Sequence, residues 1–253
     1  MPSSSHQPRK RFGQHFLHDP AVIRKIVEAI APAAEDFIVE IGPGQGVLTL
    51  PLAERVEQLE VIEIDRDLAA ALPGDRIKVH AADALKFDFS VFPHGVRVVG
   101  NLPYNISTPL LFHLARYADR VRDMHFMLQL EVVERMVAKP STPEYGRLSV
   151  MLQTRFMMQK LFRVAPGAFR PPPKVESAVV RLQPLREPLG CDAARLEEIV
   201  RQAFSARRKT LRNALPLTAG DYCALGIDPG LRPENLSPQD YVRVAQCTIG
   251  KPD

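Results

Sequence analysis

Four adjacent residues, Asn101-Leu102-Pro103-Tyr104, carry the groups that a poorly nucleophilic exocyclic amine needs in order to react. The amino nitrogen of adenine is conjugated with its ring. An Asn side-chain carbonyl and the main-chain carbonyl beside a proline accept its two N–H bonds. That favours a pyramidal nitrogen and aims the lone pair at an electrophile. Tyr104 adds a flat face on which a base stacks. A sulfonium methyl is already activated, so such a transfer calls for neither a metal nor a strong base. The competing assignment is an Asn-Pro turn leading into a helix begun by Ser107, Thr108 and Pro109.

A second group of residues suits a nucleoside cofactor. Glu40-Ile41-Gly42-Pro43-Gly44-Gln45-Gly46 follows an apolar run, and glycines at a strand-to-helix turn let the backbone approach a ligand closely. Gly42 and Gly44 are the candidates in that loop. Position 47 is Val, so the dinucleotide fingerprint G-x-G-x-x-G is broken, and no G-K-[ST] follows. A cofactor without a pyrophosphate fits this spacing better than a nicotinamide. Glu63 ends the next apolar run, where a carboxylate accepts hydrogen bonds from both ribose hydroxyls. The alternative has Asp65 capping a helix and Glu63 solvated. Asp83 ends the run after that, placed to accept from an adenine amino group.

The elements that must hold these residues are short apolar runs alternating with helix-like stretches. The runs are Phe37–Ile41, Leu59–Ile64, Ile77–His80, Val96–Gly100 and Met124–Leu128, and two later ones, Leu148–Phe156 and Val175–Leu182, fit further strands. Alternation of this kind predicts an α/β fold, a mostly parallel seven-stranded sheet with helices on both faces. In a doubly wound sheet of order 3-2-1-4-5 the first and fourth strands flank the switch point, which brings Asn101 beside the Gly42–Gly46 loop. Asp19-Pro20 reads as an N-cap with Pro at the first helical position, and Ser237-Pro238 as another. From about 187 the pattern becomes helical, with a stripe of Leu196, Ile199, Val200, Ala203 and Phe204. The expected domains are therefore 1–186 and a small all-helical 187–253.

Composition sets the outer bounds. The 253 residues carry 33 Lys+Arg against 29 Asp+Glu, a net charge of +4, with 45% hydrophobic residues. This is globular composition, and it excludes disordered, collagenous and disulfide-scaffold classes. The three cysteines, Cys191, Cys223 and Cys247, form no C-x-x-C pair and point to a reducing, cytoplasmic compartment. His15 and His18 have no third ligand nearby, so no metal site is expected. No run approaches the length of a membrane span. Charge is segregated: residues 1–100 hold 11 bases and 14 acids, and 101–253 hold 22 and 15. Bases cluster at Arg9-Lys10-Arg11, across 155–186, and at Arg207, Arg208, Lys209 and Arg212. Clusters with few interleaved acids are the footprint of a polyanion, here a nucleic acid.

The segments 9–17 (RKRFGQHFL), 39–49 (VEIGPGQGVLT), 61–68 (VIEIDRDL), 100–114 (GNLPYNISTPLLFHL), 144–150 (EYGRLSV), 169–182 (FRPPPKVESAVVRL) and 204–215 (FSARRKTLRNAL) together resemble one family. It is the small-subunit (16S) ribosomal-RNA adenine N6,N6-dimethyltransferases, whose founding member confers kasugamycin sensitivity. The resemblance implies a Rossmann-like class I methyltransferase domain with a small helical RNA-binding domain. It implies transfer of methyl groups from S-adenosyl-L-methionine to two adjacent adenosines in the 3′-terminal hairpin loop of small-subunit rRNA, within a pre-assembled 30S-type particle, during ribosome biogenesis. Carried over by position, the cofactor contacts fall on His15, Leu17, Gly42, Glu63, Asp83 and Asn101. Asn101–Tyr104 match the methylating motif, and Phe169, before Pro171–Pro173, matches the aromatic that helps sandwich the target base. Many relatives have Asn where this chain has His15; a His also donates to a cofactor carboxylate, with a charge that varies with pH.

Overall fold

The computed structural model describes residues 15–72, 76–187 and 190–248. The basic cluster at 9–11 and the start of the 9–17 segment lie outside the described residues. Seven strands, β2 (Phe37–Ile41), β3 (Gln58–Glu63), β4 (Ile77–Ala81), β5 (Val96–Asn101), β6 (Val121–Gln129), β7 (Phe156–Val164) and β9 (Ser177–Pro184), form one sheet. Its order is β4-β3-β2-β5-β6-β9-β7. The first five strands run parallel and β9 pairs antiparallel with β6. The expected order, with the first and fourth strands of the parallel set side by side, is the one observed. A second, two-residue pairing joins β1 (Phe16–Leu17) to β8 (Phe169–Arg170).

Parallel pairing requires crossovers, and the chain supplies helices between the strands. Helix α1 (Pro20–Ile30) opens as read from sequence: the Asp19 carboxylate accepts from the Ala21 and Val22 N–H groups and Pro20 takes the first turn. It buries Ile26, Val27 and Ile30 in the core beside β2 and β3. Helices α2 (Thr49–Ala53), α3 (Arg66–Ala71) and α4 (Ser107–Ala115) follow β2, β3 and β5. Strand β5 carries opposite tasks at its two ends. Arg97 near its start is buried, forks onto Asp123 of β6 through Nε at 2.8 Å and Nη2 at 3.0 Å, and reaches Asp36 through Nη1 at 2.6 Å. Asn101 at its end faces a cavity.

One expected strand is corrected. The run Leu148–Phe156 is mostly helix α6 (Arg147–Gln153), and the strand begins only at Phe156. Leu148, Val150 and Leu152 alternate as a strand would, yet Ser149 between them is buried too, so the helix is apolar or small around much of its girth. Burial on several sides erases the periodicity that separates the two states. The turn before it is locked locally: the Gly146 N–H donates to Ser149 Oγ at 3.0 Å.

The chain divides into two compact units, and the division differs from a single cut near 187. One takes the described residues up to Val133 together with Met158–Pro184; the other takes Glu134–Met157 and the described residues from Leu185 on. The cause is packing. Ala138, Tyr145 and Val150 belong to the same buried cluster as Leu196, Ile199, Val200 and Tyr241. That second core is built on α6, α7 (Ala193–Ser205), α8 (Leu211–Ala214), α9 (Ala219–Leu225) and α10 (Pro238–Cys247), the last capped by Ser237 as expected. Two of its buried tyrosines are satisfied: Tyr145 Oη donates to the Leu236 carbonyl and Tyr241 Oη to that of Pro233, both at 2.8 Å.

Candidate active site

A single cavity lies at the carboxyl ends of β2, β3, β4 and β5 in the first unit, where a doubly wound sheet binds its ligand. Its wall runs from Asp83 through Glu63 and the Gly42–Gly44 loop to Asn101, Leu102, Pro103 and Tyr104, with His15 and Leu17 on the β1 side. Every candidate cofactor residue read from the sequence therefore borders one space.

The loop needs its glycines. Gly42, Gly44 and Gly46 sit at φ of +67°, +55° and +78°, a region that side chains with a Cβ rarely adopt. The turn delivers the Gly44 N–H to Glu63 Oε2 at 3.2 Å, while Glu63 Oε1 takes the Asp65 N–H at 2.9 Å. Of the alternative for this strand end, the Asp65 cap is present and the solvated Glu63 is not. Asp65 caps α3 by accepting from the Asp67 N–H, and Glu63 is buried against the cavity rather than solvated. Burial raises the Glu63 pKa despite those backbone donors. Each Glu63 oxygen accepts one backbone bond, which leaves acceptor capacity for a pair of hydroxyls. Asp83 Oδ1 accepts from the Leu85 N–H at 3.0 Å, fixing the carboxylate at the cavity wall.

The Asn101 amide is oriented by one bond. Its Nδ2 donates to the His15 main-chain carbonyl at 3.2 Å, so the Oδ1 is the atom left to accept from a ligand. Leu102 is anchored through its own N–H to the Met127 carbonyl at 3.1 Å and buries its side chain. Tyr104 Oη shares a hydrogen bond with Ser177 Oγ at 2.7 Å, and burial raises the phenol pKa, keeping it neutral.

Two placements depart from the sequence reading. Phe169 is 2% exposed, packs in the core with Leu17, Ile26 and Val164, and does not border the cavity. Its strand pairing turns it inward: β8 lies on β1, with Leu17 opposite Phe169. The ring that stacks on Tyr104 is instead His15, with centroids 5.5 Å apart and planes at 29°. The proline segment does help hold this arrangement, because the Pro171 carbonyl receives the His15 Nδ1 hydrogen bond at 2.7 Å. In the second unit, Arg208, Lys209 and Arg212 are exposed as a polyanion contact requires. Arg207 is not free; its Nε pairs with Glu234 at 2.7 Å and its Nη2 donates to the Pro143 carbonyl at 2.8 Å.

Two residues were missed. Glu40 is buried at the cavity wall, with Oε2 lacking any hydrogen-bond partner among the described residues; burial, and the charge of Glu63, push its pKa up to about 7. A lone acid inside the apolar run FIVEI was the available signal. Gly100 was read only as the end of a strand. A Cβ there would lie 2.5 Å from the Ile41 carbonyl oxygen, so the close approach of β5 to β2 depends on it.

A doubly wound sheet with paired acids and an Asn-Leu-Pro-Tyr strand end around one cavity defines a methyltransferase of the nucleoside-cofactor class. The family model for ribosomal RNA adenine dimethylase matches residues 5–249, and the chain belongs to that family. It is 59% identical to the ribosomal RNA small subunit methyltransferase A of Chromobacterium violaceum, covering 96% of each chain. It is 58% identical to the protein of that name from Aromatoleum aromaticum, over 98% of this chain and 97% of that one. Among solved structures it is similar to a dimethyladenosine transferase from Plasmodium falciparum, with a TM-score of 0.81 and 25% identity over 91% of this chain and 96% of that one. The 23S rRNA methyltransferase ErmE superposes with a TM-score of 0.70 at 27% identity, over 92% and 98%. The chain is an rRNA methyltransferase by family, and no helix among the described residues is long and apolar enough to cross a membrane.

Proposed function

We infer that this enzyme uses S-adenosyl-L-methionine to dimethylate the N6 amines of two adjacent adenosines in the 3′-terminal hairpin loop of small-subunit rRNA, acting in the cytoplasm on a pre-assembled 30S-type particle. The observation that carries this is one continuous cavity bounded at one end by Asp83 and Glu63 and at the other by an Asn101 amide whose nitrogen is already committed to His15. The residues present fit the cofactor. Glu63 has acceptor capacity for ribose hydroxyls, Asp83 for an adenine amino group, and the left-handed glycines keep the loop free of Cβ atoms. Bound there, the cofactor supplies a methyl group already activated on a sulfonium. At the other end Asn101 Oδ1 and the Leu102 carbonyl accept the two N–H bonds of the target amine, pre-set by the bonds to His15 and Met127. Tyr104, held by Ser177, offers its ring to the base and no proton. A hairpin loop is a reasonable target because its bases leave their stacks for only a few kcal/mol.

The test is to incubate the protein with labelled cofactor and undermethylated small subunits, digest the RNA and locate the product. Label confined to N6,N6-dimethyladenosine in the terminal loop is expected. Methylcytidine, or product in large-subunit RNA, would overturn this function; the 27%-identical large-subunit enzyme makes the second outcome the one to look for.

A further inference from the structure

A second cavity lies wholly within the helical unit, some distance along the chain from the catalytic residues. It measures about 580 Å³ and is lined by Arg212 of α8, Leu217, Tyr222 of α9, and Ile227, Asp228 and Pro229 of the turn that follows. That volume is in the range of small-ligand pockets.

Its walls are fixed by backbone bonds. The Arg212 N–H donates to the Pro229 carbonyl at 3.1 Å, and the Leu211 N–H to that of Leu231 at 2.7 Å. Gly226, at φ +64°, ends α9, and the Ile227 N–H returns to the Tyr222 carbonyl at 3.1 Å.

The polar groups on those walls are unspent. Tyr222 is 4% exposed, yet its hydroxyl has no hydrogen-bond partner among the described residues. A buried hydroxyl without a partner destabilises the fold unless something satisfies it, and it demands an explanation. The Arg212 side chain is exposed, makes no hydrogen bond or ion pair among the described residues, and borders the same cavity as Tyr222. Asp228 uses Oδ1 to hold the Gly230 N–H at 2.7 Å and keeps Oδ2 for another donor. A cation, a carboxylate oxygen and a buried hydroxyl around apolar walls match one kind of guest. It has a flat apolar body, an N–H edge and an attached phosphate.

We propose that this cavity captures one unpaired nucleotide of the RNA, with its base against Leu217, Ile227 and Pro229, its exocyclic amine on Asp228, a polar edge on Tyr222 and its phosphate on Arg212. The inference rests on the rRNA-modifying function argued above and adds a second point of recognition, remote in sequence from the methylated base. It predicts selectivity for a bulged base over a continuous duplex, which phosphate contacts by themselves do not give.

The test titrates the full-length protein into two labelled RNA hairpins, one fully paired and one with a single bulged adenosine. Wild type is expected to bind the bulged hairpin about tenfold more tightly. Tyr222→Phe and Asp228→Asn should each cost about fivefold on the bulged RNA, the worth of one hydrogen bond, and change paired binding by less than about twofold. A bulged uridine, which lacks the amine, should bind as the Asp228→Asn variant binds adenosine. Tyr222→Phe removes a hydroxyl that has no partner, so its melting temperature should equal or exceed that of wild type, which separates lost recognition from lost folding. Equal wild-type affinity for the two hairpins, or variants that weaken both alike, would overturn the proposal. Methyl transfer to small subunits is measured on the same preparation: transfer without bulge preference rejects the pocket and leaves the enzyme's function standing, whereas absent transfer rejects both.

Discussion

Asn101 and Glu40 border the same cavity, and their chemistry is opposite. Asn101 contributes an uncharged acceptor whose direction is set by the Nδ2 bond to His15. Asn101→Ala should abolish methyl transfer while leaving cofactor affinity within about tenfold, ~1.4 kcal/mol, because Glu63 and Asp83 stay in place. Full transfer by that variant, measured with saturating labelled cofactor, would show that the amine is oriented by something else. Glu40 contributes a buried carboxyl with a pKa of about 7. Its folded-state pKa lies above its ordinary value of 4.5, so the folded protein holds a proton that the unfolded chain releases. Its ionisation therefore removes stability as pH climbs from 4.5 through about 7, on the order of 3 kcal/mol. A cofactor bearing a sulfonium and an ammonium favours the ionised form, so cofactor affinity should rise over the same window. Glu40→Gln should flatten both the melting-temperature profile and the affinity profile; profiles unchanged from wild type would assign the proton elsewhere.

At the scale of elements, strand ends carry the site and strand contacts set its tolerance. Gly100 marks where β5 passes β2 too closely for a side chain. The clash in Gly100→Ala is with backbone, which cannot rotate away, so the strands must separate and Asn101 moves with them. A loss of about 1–3 kcal/mol in denaturant unfolding is expected, with a fall in transfer rate larger than the loss of folded protein explains. Rates that track the folded fraction would mean that the strand absorbs the methyl without shifting Asn101. Legibility follows the same physics. The five parallel strands, their order and α1 with its Asp19 cap were readable because single-period patterns and cap residues are local signals. Helix α6 was not, since burial on several sides leaves no period to read. Glu63, Asp83 and Asn101 were readable because they fall at strand ends. Phe169 was placed at the target base by resemblance, and only its pairing opposite Leu17 reveals that it faces the core. Gly100 and the His15 ring on Tyr104 depend on contacts between elements far apart in sequence, to which no spacing rule points.

For the whole molecule, the net charge of +4 is unevenly earned, and the excess of bases after residue 100 does not belong to the helical unit alone. Residues 158–184 of the first unit hold five bases and one acid, with Arg170 and Lys174 exposed on the segment that sends the Pro171 carbonyl to His15. Residues 134–157 and 185–253 hold 14 bases and 11 acids. The second unit's cluster at 207–212 divides by partner. Arg208 and Lys209 are exposed, whereas Arg207 ties Glu234 and the Pro143 carbonyl together within the unit. Phosphate contacts release counterions, so each one lost lowers the slope of log affinity against log salt by roughly 0.7–0.9. The double variant Arg208→Ala/Lys209→Ala should therefore bind small subunits more weakly at low salt, with a slope shallower by about 1.5, and melt at the wild-type temperature. Arg207→Ala should do the reverse, melting earlier because Glu234 loses its cation, with a nearly unchanged slope. Binding isotherms at several salt concentrations, paired with thermal melts, separate the two. A shallower slope for Arg207→Ala, at an unchanged melting temperature, would mean that its ion pair opens for RNA and that the cluster acts as one.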